Sequence, residues 1–171
     1  MKKIQNVIFI HGLESSGKGF KGRLLQKEII ECITPDFEVY DPNISMERLL
    51  KIRMEQLYTI LRDKEPWIII GSSFGGLMAT LYTLKNPDKV SKLILLAPYL
   101  LIPELINKTY SPINVPVIIF HGKYDRVVSL RQSRKYAEKL FTNLTYNIVD
   151  DDHFLHKMVV SIDWKLLIER F

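Results

Sequence analysis

The chain has 171 residues, 47% of them hydrophobic and 25% charged, and carries a formal net charge of +5. Those values describe one globular domain with enough chain to bury a core unaided by disulfides or metal, and they exclude a disordered or fibrous polypeptide. The basic excess is thin everywhere: Lys and Arg against Asp and Glu number 9 and 8 in residues 1–60, 6 and 4 in 61–120, and 9 and 7 in 121–171. No nucleic-acid partner is therefore expected, and the one basic cluster, Arg131, Arg134 and Lys135, reads as a solvated helix face.

The first strand is expected over residues 6–10, an apolar run that ends in His11-Gly12. This run is too short and too soon interrupted for a secretory signal, and no stretch reaches the length of a membrane span, so a cytoplasmic protein without a membrane partner is expected. A polar, glycine-rich loop follows over 11–19. A helix over 18–32 then places Phe20, Leu24, Leu25, Ile29 and Cys32 on one face. Cys32, the only cysteine, has no internal disulfide partner, which suits a reducing compartment, and its position on that face makes it a core residue rather than a nucleophile.

A second strand is expected over 37–40, closed by Asp41-Pro42. Ser45 reads as the N-cap of a helix whose Leu50, Met54, Leu57 and Leu61 form an apolar stripe. The third strand, from Trp67 to Ile70, is the centre of the chain. It runs into Gly71-Ser72-Ser73-Phe74-Gly75, and a helix over 74–84 carries Leu77, Leu81 and Leu84 at i, i+4 and i+7. The fourth and fifth strands are expected over 92–96 and 117–120, a helix over 129–140, and a sixth strand over 144–149. A last helix over 163–171 turns Trp164, Leu167, Ile168 and Phe171 inward. Apolar strands alternating with amphipathic helices define an α/β fold. The expected form is a three-layer α/β/α sandwich with a mostly parallel six-stranded sheet in the order 2-1-3-4-5-6, all in a single domain over 1–171. Ligands bind such a sheet at the strand C-termini, where the strand order reverses, and that reversal places the His11-Gly12 loop beside Ser73.

The pentapeptide 71–75 fits G-x-S-x-G centred on Ser73. A serine on so sharp a turn needs small residues two positions away on either side, and Gly71 and Gly75 meet that need. The turn lifts the hydroxyl above the sheet and aims a helix N-terminus at whatever it attacks. Such a hydroxyl needs a base, and the base needs a partner. Asp125 follows the fifth strand in HGKYDRVV and His153 follows the sixth in VDDDHF, so Ser73, Asp125 and His153 occur in the order this architecture uses.

With those motifs in place, the chain resembles the α/β-hydrolase superfamily, and most closely its small cap-less serine esterases. The resemblance runs from HGLESSGKG through GSSFGG, NPDKV and HGKYDRVV to DDDHF. It implies Ser73 as nucleophile, Asp125 as acid and His153 as base, with an oxyanion hole made by the backbone N–H groups of Leu13 and Phe74. The implied activity is hydrolysis of small ester or thioester substrates through an acyl-enzyme on Ser73, with no cofactor and no metal. The chain departs from larger members at its N-terminus, where their two leading strands have no counterpart. Residues 99–116 stand where those members insert a cap and are too few for a lid domain. An open, modest pocket favouring short acyl chains is therefore expected, with Leu100 and Leu101 either walling it or packing on the core.

Other readings attach to individual residues. His11 and His121 end strands near the crevice and are candidates to contact substrate, while His156 reads as a surface histidine. Asp150, Asp151 and Asp152 read as an exposed loop that cannot close around one metal ion, with Asp151 or Asp152 as a minor alternative partner for His153. Residues 12–18, GLESSGK, match G-x-x-x-x-G-K between a strand and a helix, the pattern of a phosphate-cradling loop; Gly19 stands where that loop needs Ser or Thr. A hydrolase fold used for interaction without catalysis is the third possibility.

Overall fold

The computed structural model describes residues 5–169. Five parallel strands lie in the order β1-β2-β3-β4-β5: β1 Asn6–Ile10, β2 Trp67–Ser72, β3 Val90–Leu96, β4 Val117–Gly122 and β5 Leu144–Val149. Among the described residues, seven α-helices connect or follow them: α1 Phe20–Glu28, α2 Met46–Leu61, α3 Phe74–Lys85, α4 Pro103–Asn107, α5 Leu130–Leu140, α6 His156–Ser161 and α7 Trp164–Glu169.

Strand alternation divides the interior into two cores. Ile8 and Ile10 of β1, Ile69 of β2, Leu93 and Leu95 of β3 and Ile119 of β4 pack with Leu57, Leu77 and Leu140 from α2, α3 and α5. Val7, Phe9, Ile68, Ile70, Ile94 and Leu96 point the other way, onto Leu25 of α1, Met158 of α6 and Trp164 of α7. Successive side chains on a strand face opposite sides, so a strand that is apolar throughout needs a helical layer on each face. The result is the expected three-layer sandwich.

The sheet has five strands rather than six. Residues 37–40 form no strand. Ile33 instead makes a single parallel bridge to Ile8, with N–H···O bonds of 2.9 Å from Ile33 to Val7 and from Phe9 to Ile33. The backbone N–H of Phe37 is taken by the His11 ring at 3.0 Å and that of Glu38 by Gln56 at 2.9 Å, so side chains claim the groups a strand ladder would use. The first helix also ends sooner than its periodicity suggests, at Glu28, with Phe20 exposed while Leu25, Ile29 and Cys32 stay buried. Burial pushes the Cys32 thiol up to about 12, which suits an inert core residue.

Ser45 caps α2 as expected, accepting from the N–H of Arg48 at 3.2 Å. Trp164 and Ile168 turn inward in α7; the expected inward position of Phe171 lies outside the described residues. Among the described residues, no helix is long and apolar enough to cross a membrane, and no group of three or more His, Cys, Asp or Glu side chains could hold a metal ion.

Candidate active site

Ser73 stands between β2 and α3 with φ 53° and ψ −113°, in a region that residues bearing a Cβ rarely occupy. Its own backbone is tied down: its N–H donates to the carbonyl of Leu96 at 2.9 Å, and its carbonyl accepts from Leu77 at 3.2 Å and Tyr99 at 3.1 Å. The flanking glycines are needed for close approach. A Cβ on Gly71 would stand 2.6 Å from the Gly75 carbonyl oxygen and 2.9 Å from Ala79 Cβ, and one on Gly75 would collide with the carbonyl oxygens of Ile10 and His11.

Three elements deliver the side chains around that turn. Ser73 Oγ lies 3.0 Å from His153 Nε2, and His153 Nδ1 lies 2.8 Å from Asp125 Oδ2. An ionised carboxylate only accepts, so Nδ1 carries the proton and Nε2 is left to accept from the serine hydroxyl. The Asp125 side chain is fully enclosed. Its Oδ1 accepts from the N–H groups of Val127 and Val128, each at 2.8 Å, and its Oδ2 also receives His121 Nε2 at 3.1 Å. Burial alone would raise the Asp125 carboxyl; the Val128 N–H, His153 and the Val127 N–H together outweigh it and hold the group below the usual carboxylate range.

His121 is thus part of the site without facing the crevice. Its Nδ1 accepts from the Tyr146 hydroxyl at 2.7 Å, and its Nε2–H faces the Val128 carbonyl at 3.2 Å as well as Asp125. Desolvation lowers its proton affinity. The sequence signal for this role was the i, i+4 spacing of His121 and Asp125, which resembles an ordinary strand-end histidine until β4 is placed.

His11 does not reach the crevice. It is fully buried, its Nε2 accepts from Phe37 N–H, and its Nδ1 donates to the Gly12 carbonyl at 2.8 Å, so both ring nitrogens serve the backbone. Leu100 is likewise fully buried, a core residue, whereas Leu101 lines the cavity beside Ser73. That cavity encloses about 680 Å³, with walls that include Leu13, Phe74, Leu77, Tyr99, Ile102 and Val128. The volume sits in the middle of the usual range for ligand pockets, more than a short acyl group needs.

Asp151 overturns the picture of a uniformly exposed acidic loop. Its neighbours Asp150 and Asp152 are exposed, but Asp151 is buried and accepts from the N–H groups of Asp152 at 2.9 Å and Met158 at 3.0 Å. It organises the turn that presents His153 instead of pairing with the imidazole. His156 begins α6 and is exposed, as expected.

The loop over 11–19 sits beside Ser73. A Cβ on Gly12 would stand 3.7 Å from Ser73 Cβ. Its other end leaves no cradle for phosphate: the N–H of Gly17 donates to the Asp36 carboxylate at 2.7 Å, that of Gly19 to the Ser16 carbonyl at 3.1 Å, and a Cβ on Gly17 would strike the backbone of Thr34. A carboxylate bound where a phosphate would sit removes the nucleotide-binding reading.

The sequence profile of the alpha/beta hydrolase fold matches residues 5–113, well over half of the chain. The chain belongs to the alpha/beta hydrolase family. The matched segment includes the Ser73 turn and ends before Asp125 and His153, which the structure brings to the same point. Solved structures agree on the fold. Alpha/beta hydrolase domain-containing protein 10 from mouse superposes with a TM-score of 0.73 at 20% identity, covering 95% of this chain and 89% of that one. Est1E from Butyrivibrio proteoclasticus, solved with ferulic acid bound, gives 0.75 at 16% identity, covering 97% and 89%. An alpha-beta serine hydrolase homologue from Coxiella burnetii gives 0.73 at 18% identity, covering 98% and 86%. No curated protein sequence matches the chain. Identities this low carry the fold alone, and the fold is what these structures share with this chain.

Proposed function

We propose that this alpha/beta hydrolase cleaves small ester or thioester substrates through an acyl-enzyme on Ser73. The observation that carries the reading is the unbroken hydrogen-bond chain from Asp125 through His153 to Ser73, ending on a serine held at positive φ beneath a predominantly apolar cavity.

In the first step His153 Nε2 takes the Ser73 hydroxyl proton as Oγ bonds to the substrate carbonyl carbon, and the carbonyl π pair moves onto oxygen. Phe74 is the first residue of α3, so its N–H belongs to the turn that has no intrahelical acceptor, and with the Leu13 N–H it faces the developing oxyanion. Asp125 stabilises the imidazolium. The tetrahedral adduct then reforms its carbonyl and expels the alcohol or thiol, which takes the proton from His153. Water repeats the sequence on the acyl-enzyme: His153 accepts its proton, and collapse returns that proton to Ser73 with release of the carboxylic acid.

The substrate is a small molecule whose acyl part enters the cavity walled by Leu77, Leu101 and Ile102. The test is intact-mass labelling with a fluorophosphonate. One adduct on the native chain that is absent from Ser73→Ala supports the reading; an unlabelled, folded native chain overturns it.

A further inference from the structure

Arg53, in the middle of α2, is fully buried, although a guanidinium is among the costliest groups to take out of water. Its hydrogen bonds go to main-chain carbonyls. Nε donates to Glu38 at 2.8 Å, and the two terminal nitrogens donate to Gly12 at 3.3 Å and Leu13 at 2.8 Å. The guanidinium also stands 5.4 Å from the centre of the Phe74 ring. One buried cation therefore contacts both residues whose N–H groups the proposed mechanism assigns to the oxyanion.

The Gly12 carbonyl and the Leu13 N–H are opposite ends of a single peptide plane. Whatever holds the oxygen also aims the N–H. That oxygen receives Arg53, His11 Nδ1 at 2.8 Å and the N–H of Ser15 at 3.4 Å, and the Phe37 N–H on Nε2 keeps the His11 proton on Nδ1. Donation from a cation to the carbonyl also polarises the amide and makes its N–H a stronger donor.

We infer that Arg53, assisted by His11, is a positioning residue that holds the Gly12–Leu13 peptide with its N–H toward Ser73, so that the oxyanion hole exists before substrate arrives. This rests on Ser73 being the nucleophile. Arg53→Lys keeps the charge and most of the volume but loses the two-pronged fork; Arg53→Met keeps the volume alone. In both variants, kcat for a butyryl ester should fall about 10- to 100-fold, short of the loss of a whole oxyanion donor, with KM within about threefold of native. Inhibition by a butyl trifluoromethyl ketone, which forms a tetrahedral adduct on serine, should weaken by the same factor as kcat. A merely structural arginine would lower thermal stability and leave the ketone's affinity for the folded protein unchanged.

A kcat within about twofold of native in either folded variant overturns the inference, as does a fall in kcat with ketone affinity unchanged. The native chain gives an independent reading: before any ligand, the Leu13 amide should show the NMR order parameter of rigid backbone, about 0.85, and a value below about 0.6 overturns the inference. Native turnover that survives Ser73→Ala would remove the nucleophile and this inference with it, whereas normal turnover in the Arg53 variants would remove only the role of Arg53.

Discussion

Asp125 shows how the environment of one residue can commit it to a task. Two backbone N–H groups and two imidazole nitrogens surround its carboxylate, so the charge is held in place without solvent and in one orientation. Asp125→Asn keeps the shape but presents an amide that cannot accept from all four donors, and it allows His153 to take the wrong tautomer. We expect kcat to fall by about 1000-fold or more with KM little changed, measured by steady-state hydrolysis of a butyryl ester. Arg53 illustrates the opposite kind of legibility. It falls at i+4 from Leu49 and i−4 from Leu57, a charge set inside a buried apolar stripe, and the stripe Leu50, Met54, Leu57, Leu61 hides it by following the neighbouring face. Lys92 is similar: it lies inside β3, a strand that is otherwise mostly apolar, and its Nζ is buried against the carbonyls of Leu167 at 2.7 Å and Ile168 at 3.1 Å in α7.

Among the elements, the contact of β1 with the start of α3 sets the geometry of the site. Gly75 permits that contact, since any Cβ there would run into the carbonyls that end β1. Gly75→Ala should therefore separate α3 from β1, at a cost of about 1–3 kcal/mol, which lowers Tm by several degrees in a domain of this size. Turnover should fall more than 10-fold, because Ser73 and Leu13 ride on the two separated elements. Gly12→Ala makes a useful contrast. Its Cβ would find ordinary contacts of 3.6 and 3.7 Å, so calorimetry should show a smaller change in Tm than for Gly75→Ala. The segment 99–116 contributes a wall rather than a lid, through Leu101, Ile102 and the short helix α4. With about 680 Å³ beneath them, catalytic efficiency should rise from acetyl to hexanoyl esters in a homologous series; a steady decline along it would show that the cavity does not hold the acyl chain.

For the whole molecule, two buried histidines and two buried carboxylates couple folding to pH in one direction on the acid side of neutrality. Burial lowers the proton affinity of His11 and His121, and the carboxyls of Asp125 and Asp151 are also held below their ordinary range, where backbone and histidine donors overcome the effect of burial. In each case the unfolded chain binds a proton that the folded chain refuses. Stability is therefore fully present above the unfolded-state pKa and declines as pH falls toward the lower folded value. The histidines should begin to erode stability below about pH 6.5, and the two carboxylates should add to the loss below about pH 4. Thermal melts across that range should show Tm level near neutrality and then falling in two stages. A Tm that rose on acidification to pH 5 would contradict this account.

Element type, element order and the order of Ser73, Asp125 and His153 could be read from the chain, because period-2 and period-3.6 patterning and glycine spacing are local properties. Strand β5 is matched at 144–149, and the Ser45 cap stands where the helical periodicity starts. The expected second strand and the roles of His11, Arg53, His121 and Asp151 depended on contacts across the fold. Pairing at the edge of a sheet and the satisfaction of buried polar groups are decided here largely between distant residues, 26 positions apart for Phe37 and His11 and 41 for Arg53 and Gly12, where side chains compete with the backbone for the same donors and acceptors. No local pattern records the outcome of that competition, so only the tertiary structure could decide it.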